Sequence, residues 1–142
     1  MASDPNCIFC KIVAGEIPCF KIFEDDETLA FMDINPGNDG HCLVIPRGHA
    51  PDLYTISDAA ISAVARTARK VAVAVNETLA PDGINLVQAN GKGAEQSVFH
   101  FHMHVLPRRI GDELKMNWGQ IPGDMDAIRA IADRLRAALS QG

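Results

Sequence analysis

The sequence predicts an α+β fold in which two main helices pack on one face of a five-stranded, mostly antiparallel sheet. Three observations lead to this expectation. Five short apolar runs are bounded by turn residues, two longer stretches repeat apolar residues at helical spacing, and several of the short runs follow one another through turns. With 142 residues and 47% hydrophobic content, the chain has the size of one globular domain, expected to span residues 1–142.

Two stretches carry the helical period. The first begins after Ser57, a good N-cap residue, and its apolar positions are 61, 64, 65, 68, 71, 72, 75 and 79. The second runs from 124 to 139, with apolar positions 125, 128, 131, 132 and 135. A short helix that includes residues 11–14 is also predicted near the N-terminus, because Gly15 and Pro18 would end it there.

Five strands are predicted, at 20–23, 28–34, 41–45, 83–90 and 99–107. Acidic turn residues at 24–27 separate the first two strands. Pro36 and Gly37 break the chain before the third strand, since proline fixes φ and glycine permits the turn. Pro46 ends the third strand, and the Pro81-Asp-Gly83 turn closes the long helix before the fourth.

Composition narrows the class of partner. Thirteen Lys and Arg against eighteen Asp and Glu give a formal charge of −5, with one Trp and one Tyr, which disfavours binding along a nucleic-acid backbone. No apolar run approaches the roughly 20 residues of a membrane-spanning helix. The first ten residues lack the basic and apolar regions of a signal peptide, so a cytoplasmic location is expected.

The four cysteines, at 7, 10, 19 and 42, are too few for a disulfide scaffold in a chain of this length. Cys7-Ile-Phe-Cys10 has the spacing of a metal knuckle or of a redox pair. Cys19 and Cys42 lie in strand-like runs and are expected to be core residues.

Three of the five histidines lie in His100-Phe-His-Met-His-Val-Leu106. Strand alternation would place these three on one face, with Phe101, Met103 and Val105 on the other. Four interpretations are open: the polar face of an edge strand, a metal site, a nucleotide-binding scaffold without chemistry, and nucleophilic chemistry on phosphorus. A zinc ion shared by His100 and His104 is disfavoured, because those residues would be about 13 Å apart along a strand.

The same segment resembles the His-φ-His-φ-His-φ-φ signature of the histidine triad family of nucleotide hydrolases and transferases. The preceding Gln96-Ser-Val-Phe99 also resembles that family, as do the upstream blocks Asp33-Ile-Asn-Pro36 and His41-Cys-Leu-Val-Ile-Pro46. The blocks occur in the family's order, and the resemblance extends from about Cys7 to Asp112. It implies a homodimer in which two five-stranded sheets join into one of ten strands.

The resemblance implies a catalytic group. His102 would attack the α-phosphorus and form a covalent nucleotidyl-imidazole, which water or another acceptor resolves. His104 would contact the α-phosphate with His41 beside it, and Ser97 would supply the leaving-group proton. A neutral imidazole is a good nucleophile near neutral pH, provided that its other nitrogen has an acceptor. No catalytic metal is required.

It also implies a binding group for a purine nucleotide. Asp33 would bind the ribose hydroxyls, and Ile34 would line the base. Asn90 would hydrogen-bond on the phosphate side, and Gln96 would approach the leaving group. Ordinary structural interpretations stay open: turn residues at Asp33 and Asn90, a loop hydroxyl at Ser97 and a partly buried histidine at His41.

Similar bacterial proteins of the family combine an N-terminal Cys pair with a histidine after the third strand and the first triad histidine. The resemblance therefore implies a structural Zn²⁺ held by Cys7, Cys10, His49 and His100, a closed four-ligand site. The alternative is a reduced, metal-free pair that packs as small hydrophobic side chains, with His49 on the surface.

The segments after the triad leave the substrate open. Pro107-Arg-Arg109 replaces the Gly-Gly of the branch that hydrolyses nucleoside phosphoramidates, and is closer to the branch that cleaves dinucleoside polyphosphates. Gln96-Ser97 and the Cys pair favour the phosphoramidase side. Arg108 and Arg109 would bind extra phosphates or lie solvated on the surface. Trp118, the only Trp, would shape leaving-group preference or pack in the core. A nucleotide-binding regulatory protein with incidental turnover is a further alternative.

Overall fold

The computed structural model describes residues 1–116 and 119–141. Trp118, expected to shape leaving-group preference, therefore lies outside the described residues. The chain divides into two compact units, Met1–Asp112 and Glu113–Gly142, each described by itself below. The expectation of a single domain over 1–142 stays a prediction.

The first unit contains the predicted five-stranded antiparallel sheet, which is confirmed. Its strands are β1 (Lys21–Glu24), β2 (Thr28–Met32), β3 (Cys42–Pro46), β4 (Gly83–Val87) and β5 (Met103–Arg108). They lie in the order β1-β2-β3-β5-β4, and each neighbouring pair is antiparallel. The strand nearest the C-terminus is thus inserted between β3 and β4, and it carries His104 between these two neighbours.

The helices begin and end close to the predicted positions. Helix α2 spans Asp58–Leu79, and the Ser57 hydroxyl caps it by accepting from the Ala60 N–H. Helix α1 (Ile8–Val13) is longer toward the N-terminus than predicted, because the Cys7 thiol caps its first turn by accepting from the Cys10 N–H. A 3₁₀ turn at Lys92–Ala94 lies between β4 and β5.

Helix α1 does not share the face of the sheet on which α2 packs. Helix α2 packs its buried stripe of Val64, Ala68, Val71 and Val75 against Ala30 and other sheet residues. Helix α1 belongs to a second cluster, on side chains that alternate with those of the first cluster along β2 and β3. This second cluster contains Cys7, Phe9, Cys10, Leu29, Phe31, Leu43 and Ile45. Strands β2 and β3 are therefore buried on both faces, and neither shows a simple hydrophobic–polar alternation.

Strand β5 begins at Met103, not at residue 99 as predicted. Its pairing with β3 ends at Val44, opposite Met103, and the chain before that point leaves the ladder. There the Phe101 N–H donates to the Ala50 carbonyl at 2.7 Å. Consequently His100 and His102 precede the strand, and only His104 lies in it.

In the second unit, helix α3 (Met125–Leu139) is capped by the Asp124 carboxylate, which accepts from the Asp126 and Ala127 N–H groups. Its apolar side chains repeat at helical spacing and are at least half exposed: Met125, Ile128, Ile131, Leu135 and Leu139. No helix in the described parts of the chain is both long enough and apolar enough to cross a membrane.

Candidate active site and metal centre

His102 is held so that one ring nitrogen is left with a lone pair. Its Nδ1 lies 2.7 Å from the carbonyl oxygen of His100. Because a carbonyl can only accept, Nδ1 carries the proton and Nε2 is unprotonated in the neutral ring. The edge-on ring of Phe9, 5.3 Å away between centroids, packs against the imidazole. Burial lowers the pKa of His102 below the usual value, against smaller opposing effects of the His100 carbonyl and Asp33, so the ring is neutral at neutral pH.

A second group of ring nitrogens lies beside His102. The His41 Nε2 and His104 Nδ1 atoms are 2.9 Å apart, and the His104 ring centroid lies 5.0 Å from that of His102. Asp33 Oδ2 is 3.5 Å from His41 Nε2. Burial lowers the pKa of His104 to about 4, and it also lowers the pKa of His41 although Asp33 opposes that shift. The structure thus brings together four of the residues predicted for the site.

A separate cluster contains Cys7, Cys10, His49 and His100, whose ligand atoms all lie within 4.8 Å of one another. The His49 and His100 Nδ1 atoms are 3.3 Å apart. Three sulfur–nitrogen distances are 3.4, 3.4 and 3.6 Å: Cys7 to His100, Cys10 to His49 and Cys10 to His100. Around a tetrahedral zinc, neighbouring donors are about 3.3 Å apart for two nitrogens and about 3.5 Å for nitrogen and sulfur. The four residues therefore fit the ion in both ligand type and spacing.

The hydrogen bonds behind these ligands suit a metal as well. His100 Nε2 lies 2.9 Å from the Pro46 carbonyl, so Nε2 donates and Nδ1 presents its lone pair to the cluster. His49 Nε2 faces the Asp4 carboxylate at 3.9 Å. Backbone N–H groups of Asp4 and Cys10 point at the sulfurs of Cys10 and Cys7, each at 3.4 Å. Because His100 belongs to this cluster and His104 to the other, the three triad histidines do not form one metal site.

Asp33 and Ile34 lie in the turn after β2. Asp33 Oδ1 accepts from the Asn35 N–H at 2.8 Å, which is the turn-forming role, while Oδ2 points to His41. Ile34 is 75% exposed, so its side chain is available to a ligand. One carboxylate therefore combines a structural contact with a site contact.

Gln96 and Asn90 use their side-chain amides to hold loops. Gln96 is buried, accepts from the Gly91 N–H, and donates to the carbonyls of Pro51 and Val98. Asn90 accepts from the Leu53 N–H at 2.7 Å and exchanges hydrogen bonds with Gln88. Ser97 is exposed, in contrast to Gln96 beside it. The roles expected of these three residues toward a substrate stay predictions.

The two arginines after the triad both have structural partners, Arg108 on a partly exposed side chain and Arg109 on an exposed one. Arg108 forms two hydrogen bonds to the Asp112 carboxylate, at 2.8 and 2.7 Å, and one to Asn85 at 2.9 Å. The guanidinium holds the pKa of Asp112 well below its usual range. Arg109 donates to the carbonyls of Leu79 and Ala80 at the end of α2.

Three groups that contact the site residues were not predicted from the sequence. The Gly37 N–H donates to His41 Nδ1 at 3.0 Å, and Asp4 and the Pro46 carbonyl lie behind the cysteine cluster. The turn Asn35-Pro-Gly37, four residues before His41, was a local signal for the first contact. The other two depend on pairings far apart in sequence, for which the chain offers no local pattern.

Fold and site together define the class: an α+β protein that collects neutral histidines beside two neighbouring inner strands of its sheet, β3 and β5. The HIT domain pattern matches residues 14–111. The adenosine 5′-monophosphoramidase hnt1 of Schizosaccharomyces pombe is 36% identical over 135 residues, covering 94% of this chain and 98% of that protein. The chain belongs to the histidine triad (HIT) family.

Solved structures agree over nearly the whole chain. SMU.412c from Streptococcus mutans UA159 superposes with a TM-score of 0.92 at 34% identity, covering 97% of this chain and 88% of that one. A Zn-bound histidine triad family protein from Mycobacterium smegmatis gives a TM-score of 0.74 at 38% identity, covering 94% of this chain and 97% of that one.

Proposed function

We propose that the protein hydrolyses purine nucleoside phosphoramidates, or related mononucleotidyl substrates, at the α-phosphate through a nucleotidyl-His102 intermediate. The observation that carries this proposal is the hydrogen bond from His102 Nδ1 to the His100 carbonyl, which leaves Nε2 as a nucleophile. The phosphoramidase name of the Schizosaccharomyces pombe relative supports the substrate class.

The reaction has two displacements at one phosphorus. In the first, a bond forms between His102 Nε2 and phosphorus while the bond from phosphorus to the leaving nitrogen breaks, and the amine departs with a proton from Ser97 or from water. In the second, water attacks the same phosphorus and gives up a proton to solvent, or to Ser97 where Ser97 donated in the first step. The bond to Nε2 breaks, and the nucleoside monophosphate leaves. His104, whose Nδ1 faces His41, is the group beside His102 that contacts the phosphate oxygens.

The binding roles follow from the same placement. Asp33, an acceptor-only carboxylate beside His41, takes the ribose hydroxyls, and the exposed Ile34 side chain takes the base. Gln96 keeps the loop before the triad in place and thereby positions Ser97 near the leaving group. Asn90 fixes the loop at Leu53 and lies on the phosphate side.

We also propose that Cys7, Cys10, His49 and His100 hold a structural Zn²⁺. The ion would connect the N-terminal segment to the sheet, and it would keep the backbone of His100 in place to accept from His102. With four protein ligands it has no open coordination position for water or substrate. Native mass spectrometry of protein expressed with zinc available tests this: one bound ion supports it, and a metal-free chain contradicts it.

A homodimer with one continuous ten-stranded sheet is the assembly we propose. The outer strands of the described sheet are β1 and β4. Strand β1 carries Lys21 and Glu24, which discourage edge pairing, whereas β4 carries no charged residue and is the better edge for a second copy. A cytoplasmic setting suits the four free cysteines, and no nucleic-acid or membrane partner is part of the proposal.

The test compares kcat/KM for an adenosine phosphoramidate and for diadenosine triphosphate, with His102→Ala as the inactive control. We expect the phosphoramidate to be preferred and the variant to lose at least about 1,000-fold in rate while it still binds adenosine monophosphate. A strong preference for the dinucleotide would favour a dinucleoside polyphosphate hydrolase instead. Nucleotide binding without turnover of either substrate would favour a regulatory protein.

A further inference from the structure

The group formed by Asp33, His41 and His104 resembles a metal site in its spacing, since its ligand atoms all lie within 4.8 Å of one another. Its hydrogen bonds differ from those of the cysteine cluster. There, His100 donates through the nitrogen that faces away from the cluster. Here, the corresponding nitrogen of His41, Nδ1, accepts from the Gly37 N–H at 3.0 Å.

This difference determines what the group can hold. An amide N–H can only donate, so His41 Nδ1 carries no proton while the contact to Gly37 persists. The one proton of the neutral ring must then be on Nε2. A metal bound at Nε2 would displace that proton and leave His41 as an imidazolate, a far less stable state than the neutral ring.

The proton on His41 Nε2 in turn determines the state of His104. It points at His104 Nδ1, 2.9 Å away, which must therefore accept. The proton of a neutral His104 is then on Nε2. A doubly protonated His104 would direct its Nδ1–H at the His41 Nε2–H, so the arrangement excludes the imidazolium as well.

We propose that Gly37 and His41 fix the tautomer of His104, making its Nε2–H a neutral hydrogen-bond donor to the phosphate and excluding it as the acid for the leaving group. His41 is thus a positioning residue. The chain of donors runs from the Gly37 N–H to His41 and from His41 to His104. The role in turnover rests on the proposed function, whereas the tautomer does not.

The groups that face this pair agree with a neutral arrangement. His104 faces His102 and His41, and the nearest charge is the Asp33 carboxylate at 3.5 Å from His41 Nε2. Burial lowers the pKa values of both His41 and His104, so neither ring gains a proton near neutral pH. The leaving-group proton must then come from Ser97 or from water, the two sources that lie outside this hydrogen-bond chain.

The test is ¹⁵N imidazole NMR of the full-length, zinc-loaded protein between about pH 6 and about pH 8. We expect one tautomer of His104 with the proton on Nε2, and one of His41 with the proton on Nε2. In His41→Ala, His104 should populate both tautomers and kcat should fall by about 10- to 100-fold. In His41→Gln, whose side-chain amide can donate to His104 Nδ1, the Nε2-protonated tautomer should return and kcat should recover at least partly.

Three results would overturn the proposal. They are a wild-type His104 protonated on Nδ1, an unchanged single tautomer in His41→Ala, and a second bound zinc that disappears in His41→Ala. The first needs no variant, so a folding defect in His41→Ala does not prevent the test. If the expected tautomers are observed but no phosphoramidate is turned over, the tautomer assignment stands and the proposed hydrolase activity fails.

Discussion

At the scale of single residues, the site depends on an unprotonated ring nitrogen of His102. His102 can attack phosphorus only through an unprotonated nitrogen, and the His100 carbonyl determines which nitrogen that is. Burial keeps the ring neutral by penalising the charged form more than the surrounding acceptors stabilise it. The same side chain on the surface would be half protonated at about pH 6.5.

The pH dependence of kcat/KM follows from this. Because the pKa of His102 is lowered, more than half of the rings stay neutral as the pH falls through about 6.5, and half-maximal activity should be reached only at lower pH. The measurement is kcat/KM for an adenosine phosphoramidate, with product quantified by chromatography. A half-maximal rate at or above about pH 6.5 would contradict the assignment.

A control on folding is needed in that experiment. Buried neutral histidines bind protons more readily when the chain unfolds, so stability should decrease as the pH falls below the unfolded value of about 6.5. Thermal unfolding at each pH separates this loss of folded protein from the titration of His102.

At the scale of elements, the cysteine cluster connects α1 to the loop before β5. Replacement of Cys10 by Ser removes one of four ligands. We expect the variant to lose bound zinc and at least about 5 °C in Tm, because a structural metal contributes its binding free energy to folding. Cys19→Ser is the matched control, since Cys19 lies outside the cluster. Equal Tm and zinc content in wild type and Cys10→Ser would contradict the metal site.

Arg109 stabilises the end of α2 by donating to the Leu79 and Ala80 carbonyls, where the helix leaves acceptors without partners. Arg109→Ala should destabilise the protein by about 1 kcal/mol. The ratio of kcat/KM for the adenosine phosphoramidate and diadenosine triphosphate should stay unchanged, because the guanidinium donates its hydrogen bonds to the helix end. Arg66→Ala, which removes only an exposed ion pair to Glu27, is the control expected to change little. A selective loss of dinucleotide hydrolysis in Arg109→Ala would instead indicate a phosphate contact.

At the scale of the whole molecule, the open sheet edges lead to a prediction about assembly. Leu86 on β4 and Ile22 on β1 are exposed to similar extents, 50% and 47%. Leu86→Asp places a charge on the edge proposed to pair with a second copy, so sedimentation velocity should show a shift toward monomer. Ile22→Asp makes the same change on the other edge and should leave the dimer intact. The reverse pattern would indicate that the sheets join through β1.

The sequence predicted the fold where the pattern is local. The stripe on α2, its Ser57 cap and the turns around the strands all depend on neighbouring residues, and they were recovered within a few positions. The start of β5 was not predicted correctly, because it depends on a hydrogen bond from the Phe101 N–H to the distant Ala50 carbonyl. Strands β2 and β3, buried on both faces, also gave no signal for the separate position of α1.

The candidate site, like the fold, was predictable in part. The resemblance to the histidine triad family implied which residues meet, including the cysteine cluster and the group around His104. The protonation pattern could not be predicted, because it depends on backbone groups at Gly37, Pro46 and His100. Nearly every residue carries the same backbone groups, so the sequence does not show which of them will contact a given histidine.

The covalent nucleotidyl-His102 intermediate is tested most directly by the stereochemical course at phosphorus. A single diastereomer of an adenosine phosphoramidothioate, hydrolysed in ¹⁸O-water, gives a chiral product whose configuration can be determined. Each in-line displacement inverts phosphorus, so attack by His102 followed by attack by water predicts net retention. Net inversion would mean that water attacks the substrate directly, and it would contradict the account of His102 as the nucleophile.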